Sequence, residues 1–359
     1  MNRILILKTA ALGDVLRTTS ILPGLHERYP EARITWVTAP AAVDLVHIHP
    51  LVRSVVALDT SSDESVAEAT ASLSATCWER VISLDDEVSI ARVATDVTSK
   101  RLSGAYLRND GALAYTPDTA PWFDMGLLSV HGKVGADLMK IQNRRSHPQI
   151  YADMLGIRMG KPALHLTDAS KRVDPFAERF RLQEHRPLVG LNTGAGGRWT
   201  SKQLDVGRTV ELAEKIHIAR EGRVAFLVLG GPPEAERNRA ILAQLSKSGL
   251  AAFDGGAENA LLDFAALVGQ CDVLVASDSL ALHLAVALSV RVVAFFAPTS
   301  AAEIELYGRG EKVVSTSPDA CSYRPDADNS SLTPERIAAA VLPQILLAER
   351  ERAEAGPPR

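Results

Sequence analysis

The chain opens with the stretch Ile4-Leu5-Ile6-Leu7-Lys8-Thr9-Ala10-Ala11-Leu12-Gly13-Asp14. Its first four residues are all apolar and predict a buried strand, and the pattern after the loop predicts a helix. In the second half, Asp278-Ser279-Leu280-Ala281-Leu282-His283 likewise follows an apolar strand and opens an apolar helix. Anions and catalytic side chains collect at such strand ends, because free backbone N–H groups and the helix dipole converge there. The two stretches predict a two-domain α/β enzyme that holds a phosphorylated donor in one half and an acceptor in the other.

Length and composition are those of a globular cytoplasmic protein. The 359 residues are 46% hydrophobic and 23% charged, which favours two domains, each with its own core. A formal charge of −4 argues against general nucleic-acid binding. Cys77, Cys271 and Cys321 are too scattered for a disulfide framework or a CxxC metal site, as expected in a reducing compartment. No apolar run in the sequence reaches the roughly 18–20 residues that span a bilayer.

Apolar runs separated by helical patterns predict alternating strands and helices, the order of parallel βαβ units. The runs lie at Ile4–Leu7, Ile34–Val37, Val55–Leu58, Val81–Leu84, Leu188–Leu191, Val224–Leu229, Val273–Val275 and Val292–Phe296. The hydrophobic pattern weakens after Gly160-Lys161-Pro162, so we expect a first domain over 1–165 and a second over 166–334. Thr333-Pro334-Glu335 has the residue types of a helix start and predicts a final helix over 335–352.

A glycine-rich loop opens the second half. The stretch Gly190-Leu191-Asn192-Thr193-Gly194-Ala195-Gly196-Gly197 follows a strand, and its glycines let backbone N–H groups approach an anion closely. Lys202 can add a point charge, whereas a plain turn is the alternative explanation of the glycines. The spacing matches neither GxxxxGK[ST] nor a first-strand GxGxxG, which argues against nucleotide hydrolysis and nicotinamide binding.

Two further loops of the second half have residues suited to a phosphorylated ligand. Glu234 follows Gly230-Gly231 near a helix start, where a carboxylate either binds ribose hydroxyls or caps the helix. Asp278 and Ser279 open a helix on whose backbone amides a diphosphate can rest. His283 lies one turn into that helix, and its apolar surroundings alone favour a core histidine.

Four segments, taken together, resemble glycosyltransferase family 9, the family of ADP-heptose:lipopolysaccharide heptosyltransferases. They are Ile4 to Leu16; Gly194-Ala195-Gly196 with Ser201-Lys202; Leu229-Gly230-Gly231-Pro232; and Asp278-Ser279 with His283-Leu284-Ala285, continued by Phe296-Ala297-Pro298-Thr299-Ser300. The sequence departs from the family where Leu280 replaces the usual glycine and Leu204-Asp205 replaces a Trp-Pro pair. Leucine cannot approach a phosphate as closely as glycine, so these departures bear on donor binding.

The resemblance implies a GT-B architecture, in which two Rossmann-like domains face a cleft and the C-terminal helix returns to the first domain. It implies an inverting transfer of heptose, or of a related sugar, from an ADP-activated donor, with neither a metal nor a cofactor. By the match, Asp14 has the position of the catalytic base. The donor-binding positions fall on Thr193, Gly194, Lys202, Glu234, Asp278, Ser279 and His283. The DxD-like run Asp326-Ala327-Asp328 is interpreted as a solvated turn.

The family's usual acceptor is an inner-core lipopolysaccharide sugar, so a glycan or glycolipid is the expected partner. The candidate acceptor-binding residues are Arg17, one helical turn beyond Asp14, together with Lys100 and Arg101. The basic residues within 140–145 can contact acceptor phosphates or the anionic inner face of the cytoplasmic membrane, an ordinary solvated surface being the alternative.

Two other functions stay open at this point. One is a glycosyltransferase of a specialised-metabolite pathway with a soluble acceptor, and the other is a non-catalytic sugar-nucleotide-binding protein. A nucleotide-sugar epimerase or dehydrogenase is disfavoured, because the first half has neither GxGxxG nor a Tyr-x-x-x-Lys pair.

Overall fold

The computed structural model describes residues 2–166, 175–196 and 199–355. The chain divides into two compact units. Met1–His165 and the short segment Ala302–Glu305 form the first unit, and Leu166–Ala301 with Leu306–Arg359 forms the second. The return of Ala302–Glu305 to the first unit is a feature that no sequence motif indicates.

A six-stranded sheet is the centre of the first unit. Its strands are β1 (Arg3–Leu7), β2 (Arg33–Thr38), β3 (Val52–Ala57), β4 (Arg80–Ser83), β5 (Leu102–Leu107) and β6 (Leu113–Tyr115). The order is β3-β2-β1-β4-β5-β6, and only the β5–β6 pair is antiparallel among the described strands. The order reverses between β1 and β4, and in such sheets ligands bind beyond the carboxyl ends of the two strands at the reversal.

The helices of the first unit cover both faces of this sheet. Residues Ile4 to Leu7 of β1 are fully buried, as expected for a parallel strand covered on both sides. Ile90 and Val93 of one helix pack with Leu5 and Val81 of the sheet. The helices include Leu12–Thr18, Ile21–Arg28, Val43–Val46, Asp63–Ser74, Val88–Asp96, Ala120–Phe123, Gly132–Gln142 and His147–Leu155.

The second unit repeats the plan with a parallel sheet. Its strands are β7 (Leu188–Asn192), β8 (Ala225–Leu229), β9 (Ala252–Asp254), β10 (Val273–Ser277), β11 (Arg291–Phe296) and β12 (Gly310–Val314). The order is β12-β11-β10-β7-β8-β9. Every residue of β7, β8, β10 and β11 is buried, which explains their unbroken apolar runs. The reversal of strand order lies between β7 and β10.

Local sequence determines where the helices of the second unit begin. The Asp205 side chain accepts a hydrogen bond from the Arg208 N–H at 2.8 Å and caps the first of them. The helix before β11 is buried on nearly all sides, because its residues from Ala281 to Ala287 are apolar apart from His283. The helices include Val206–Ala219, Ala235–Lys247, Leu261–Gly269 and Leu280–Ala287, and the 3-10 turns Thr200–Lys202 and Pro232–Glu234.

The final helix, Pro334–Ala355, belongs to the second unit. Its apolar face is fully buried in that unit's core at Ile337, Val341 and Ile345. Near its end, Glu351 forms ion pairs with Arg291 at 2.5 Å and with Arg309 at 2.9 Å. This placement corrects the expectation that the helix returns to the first domain, since its apolar face and its carboxylates find partners on the second. Within the described residues, no helix has the length and apolar character needed to cross a membrane.

Candidate active site

A buried carboxylate fixes the loop after β1. Asp85, just beyond the end of β4, forms an ion pair with Lys8. Its Oδ2 also accepts hydrogen bonds from the Thr9 N–H at 2.5 Å and from the Thr9 hydroxyl at 2.8 Å. Lys8 and Asp85 are both buried, so each compensates the charge of the other. Because β1 and β4 flank the reversal of strand order, these contacts hold the loop where ligands bind in such sheets.

Asp14 lies in the first turn of the helix Leu12–Thr18. Its side chain is 38% exposed, and its Oδ1 is 3.0 Å from Nε of Arg17, whose side chain is only 14% exposed. The amino end of a helix favours a carboxylate, and the neighbouring guanidinium attracts it as an ion pair. An exposed, oriented carboxylate of this kind can accept the proton of a bound hydroxyl group.

Three aromatic side chains of the first unit, those of Trp122, His147 and Tyr151, pack together beside Arg17. The Arg17 guanidinium lies over the Trp122 ring, 5.6 Å from its centre. The Trp122 ring meets His147 and Tyr151 edge to face, with ring centres 5.1 and 5.2 Å apart. Tyr151 is fully buried, and its hydroxyl has no hydrogen-bond partner among the described residues. Arg17 therefore connects the candidate base to a packed aromatic group.

Several charged groups of the first unit lie close enough to Tyr151 to affect the pKa of its hydroxyl. Burial raises the pKa of its hydroxyl well above the ordinary value, and the nearby carboxylates of Asp14, Asp85 and Glu303 add to the rise, while Arg17 opposes it. Glu303 comes from the returning segment Ala302–Glu305, and its carbonyl accepts a hydrogen bond from the backbone N–H of His147 at 2.8 Å.

Lys100 and Arg101 are not brought to Asp14. They precede β5, at the edge of the sheet where the parallel strands begin, whereas Asp14 follows the carboxyl end of β1. Lys100 pairs with Glu79 at 2.8 Å, and Arg101 pairs with Asp118 at 3.0 Å. A basic pair in the sequence does not reveal which edge of a sheet it occupies. We therefore remove both residues from the candidate acceptor site and keep Arg17.

In the second unit, the helix Ala235–Lys247 holds the loop that follows β7. The Thr193 hydroxyl donates to Oδ1 of Asn238 at 2.5 Å, and Nη1 of Arg237 donates to the Thr193 carbonyl at 2.8 Å. Asn238 is buried, and neither it nor Arg237 belongs to a motif that the sequence indicated. The two side chains fix the backbone just before Gly194.

Glu234 closes against the same loop. Its carboxylate is buried, and Oε2 accepts a hydrogen bond from the Gly231 N–H at 2.9 Å. A Cβ atom at Gly194 would lie 2.8 Å from this oxygen, so a larger residue there would displace the Glu234 carboxylate. The sequence left open whether Glu234 caps the helix or binds ribose hydroxyls. The contact with Gly231 is the capping contact, and it places the carboxylate beside the glycine-rich loop.

Asp278, just beyond the end of β10, lies between Lys202 and His283. Nζ of Lys202 donates to Oδ2 and to the backbone carbonyl of Asp278, both at 2.9 Å. Nε2 of His283 is 3.7 Å from Oδ1. Burial acts to raise the pKa of Asp278, but His283 and Lys202 outweigh burial and hold that pKa far below its ordinary value. The structure thus brings together three of the predicted donor-binding residues.

The helix Leu280–Ala287 begins beside this group, immediately after Ser279. Nδ2 of Asn192 donates to the Gly194 carbonyl at 2.8 Å and approaches Oγ of Ser279 at 3.4 Å, so it joins the loops after β7 and β10. The first N–H groups of a helix have no partner within it, and the helix dipole adds partial positive charge there. These amides, together with Lys202, form an environment suited to a diphosphate.

The described residues of this site include no cluster of carboxylates of the kind that binds a metal ion. In the parts of the chain that the structure describes, no three His, Cys, Asp or Glu side chains are grouped so that they could hold a metal ion. In the DxD-like run, Asp326 instead pairs with Arg324 at 3.1 Å on the exposed surface, as expected for a solvated turn.

Comparisons with known proteins agree with this geometry. The model of the family described as "Glycosyltransferase family 9 (heptosyltransferase)" matches residues 146–331, more than half of the chain. The glycosyl transferase family 9 protein of Veillonella parvula has 17% identity and a TM-score of 0.76, over 96% of this chain and 98% of that one. E. coli ADP-heptose lps heptosyltransferase II has 19% identity and a TM-score of 0.67, over 97% and 100% of the two chains.

E. coli heptosyltransferase WaaC, solved with ADP-2-deoxy-2-fluoro heptose, has 16% identity and a TM-score of 0.60, over 95% of this chain and 99% of that one. A comparison with curated protein sequences gives no match. The structural likenesses confirm the predicted GT-B fold. The chain therefore belongs to glycosyltransferase family 9 and is a heptosyltransferase-like glycosyltransferase.

Proposed function

We propose that this enzyme transfers heptose, or a closely related sugar, from an ADP-activated donor to an acceptor hydroxyl group. The transfer inverts the anomeric carbon and uses no metal ion. The observation that carries the proposal is the arrangement of Lys202 and His283 around Asp278 at the start of the helix Leu280–Ala287.

The donor diphosphate is expected to bind to this group of residues. A departing nucleotide diphosphate needs compensating positive charge, which the Lys202 ammonium and the first amides of the helix can supply without a metal. An ammonium has three N–H donors, and Asp278 receives two of those of Lys202, so Asp278 positions the charge while a donor remains for a phosphate oxygen. Glu234, beside Gly194, is the candidate for the ribose hydroxyls. ADP is the favoured nucleotide, because the related WaaC was solved with an ADP sugar.

Asp14 is the proposed catalytic base. As the acceptor oxygen attacks the anomeric carbon, Asp14 takes the hydroxyl proton, and the bond from that carbon to the phosphate oxygen breaks. The bonding electron pair leaves with the diphosphate, which is released as ADP, and the new bond forms on the opposite face of the sugar. Arg17 contributes by holding the Asp14 carboxylate and by offering positive charge to an anionic acceptor.

The proposed acceptor is an inner-core lipopolysaccharide sugar presented at the inner face of the cytoplasmic membrane. The family match and the likeness to an enzyme described as an lps heptosyltransferase support this choice. A soluble acceptor would leave the donor site and the role of Asp14 unchanged.

The test is transfer from ADP-heptose to an inner-core glycolipid, followed by ADP release and by NMR of the new anomeric centre. We expect inversion, and ADP release that a chelator does not reduce. Retention of configuration would refute the base mechanism, and a clear preference for UDP or GDP sugars would refute the donor assignment. Tight ADP-heptose binding with no transfer to any acceptor would favour a binding protein.

A further inference from the structure

An exposed apolar stripe runs along one helix of the first unit. In the helix Gly132–Gln142, Val134, Leu138 and Ile141 are 75%, 54% and 45% exposed. Their spacing of four and three residues puts them on one face. Ala136, about half a turn away from them around the helix, is 3% exposed and is the side that packs on the protein. The helix therefore presents an apolar face outward rather than the polar face expected of a helix on a water-exposed surface.

Two more exposed apolar residues precede the helix in the chain. Leu127 and Val130, in the turn that precedes it, are 91% and 78% exposed. Five large aliphatic side chains in one short segment are thus open to solvent. Single exposed apolar residues are ordinary, but a contiguous exposed apolar patch marks a surface that binds something.

The charges around the stripe indicate which kind of surface it binds. The segment 127–145 contains four basic residues and one acid, Asp137, within a chain whose formal charge is −4. Lys133 and Lys140 lie on the helix, the first paired with Asp137 at 2.5 Å, and two arginines follow at 144 and 145. An apolar helical face bordered by lysine and arginine is the pattern of a helix that lies in the interface of an anionic bilayer.

We propose that the stripe, residues 127–141 with the basic residues through 145, docks the enzyme on an anionic lipid bilayer. Val134, Leu138 and Ile141 insert among the acyl chains, and the basic side chains extend to the lipid phosphates. A second copy of this chain fits the surface less well, because a symmetric contact would bring two positively charged segments together. The inference deepens the proposed function, since a glycolipid acceptor is embedded in such a surface.

Vesicle binding of the full chain, measured by co-sedimentation without donor or acceptor, tests this surface separately from the transfer reaction. We expect binding to phosphatidylglycerol-containing vesicles, and weak binding to phosphatidylcholine alone. Val134→Gln with Leu138→Gln should weaken binding by about tenfold or more, because two inserted side chains lose their apolar transfer energy. The matched control is Ile218→Gln, which changes a side chain that is 74% exposed in the second unit and should bind as the wild type does.

The charge component is tested with Lys133→Gln and Lys140→Gln together, which should weaken binding to anionic vesicles about tenfold and reduce its salt dependence. The control is Lys247→Gln, at an exposed lysine of the second unit. Melting temperatures and ADP binding of all variants should match the wild type, because the altered side chains are exposed apart from that of Lys140, which is half-buried. The proposal is overturned if the wild-type enzyme fails to bind anionic vesicles. It is also overturned if the stripe variant, Val134→Gln with Leu138→Gln, binds them as tightly as the wild type does. A dimer in light scattering that the stripe variant abolishes, without vesicle binding, assigns the surface to a second copy instead.

Discussion

Lys202→Ala removes the cation that holds Asp278 and is expected to weaken both the fold and the donor site. The Lys202 and Asp278 side chains are 11% and 20% exposed, and two hydrogen bonds of 2.9 Å join them. Breaking a fully buried pair costs about 3–5 kcal/mol, because one charge is left uncompensated. Residual exposure and the neighbouring His283 reduce that cost, so we expect a loss of about 2–3 kcal/mol. For a domain of this size the melting temperature should fall by about 4–12 °C.

A double-variant cycle separates the charge effect from lost packing. Asp278→Asn removes the carboxylate that Lys202→Ala leaves unpaired, so the double variant should be more stable than the lysine variant alone. Lys215→Ala is the matched control, because Lys215 pairs with Glu211 and Glu335, whose side chains are 49% and 58% exposed. Exposed ion pairs contribute little, so its melting temperature should remain close to that of the wild type.

ADP affinity supplies the functional part of the same experiment. A charge-assisted hydrogen bond contributes about 1.5–3 kcal/mol, so Lys202→Ala should weaken ADP binding by roughly tenfold to a hundredfold. Isothermal titration calorimetry measures this directly, and the rise in melting temperature with ADP checks it. Wild-type ADP affinity in Lys202→Ala would refute the assignment of the diphosphate to this group of residues.

Three further variants test other features of the two units. Leu280→Gly should tighten ADP binding, because glycine lets the backbone approach a phosphate more closely than leucine does. The stability cost should be about 1 kcal/mol, since Leu280 is only half-buried. Weaker binding with a large stability loss would contradict this. Burial, together with His165, lowers the pKa of His49 to about 4, below the 6.5 of the unfolded chain. The unfolded state therefore takes up a proton first, and stability should fall by about 3 kcal/mol between pH 6.5 and 4. His49→Asn should flatten the unfolding free energy over that interval, and an unchanged pH profile would argue against this. Trp122→Leu should lower turnover about tenfold with ADP affinity unchanged, because Arg17 loses the ring that supports it; unchanged turnover would show that the aromatic contact does not position the base.

The buried parallel strands could be predicted from the sequence because their apolar runs are unbroken, as in β1 and β10. The strands β5 and β12 could not. β5 reads Leu-Ser-Gly-Ala-Tyr-Leu and β12 reads Gly-Glu-Lys-Val-Val, and neither has a continuous apolar run. The caps of the final helix identify its start but not the surface that its apolar face covers, since both domains offer a sheet to pack against.

The residues of the candidate site also fall into those that the sequence predicts and those that it does not. Asp14, Lys202 and Asp278 could be proposed because each lies in a short segment with a recognisable pattern. Trp122, Tyr151 and Glu303 support the first of these from distant parts of the chain, and no local pattern distinguishes them from ordinary core residues. Their role depends on how the chain folds around the strand reversal, which residue spacing alone does not show.

The central claim is that Asp14 acts as the base in sugar transfer, and the turnover of Asp14→Asn tests it most directly. Turnover is measured as ADP release from ADP-heptose in the presence of the inner-core glycolipid, with Asp96→Asn, at an exposed aspartate of the first unit, as the control. Our account predicts a turnover lower by roughly 10²–10⁴ for Asp14→Asn, with ADP affinity within about twofold of the wild type. Near-normal turnover of Asp14→Asn would contradict the account and assign the base to another group.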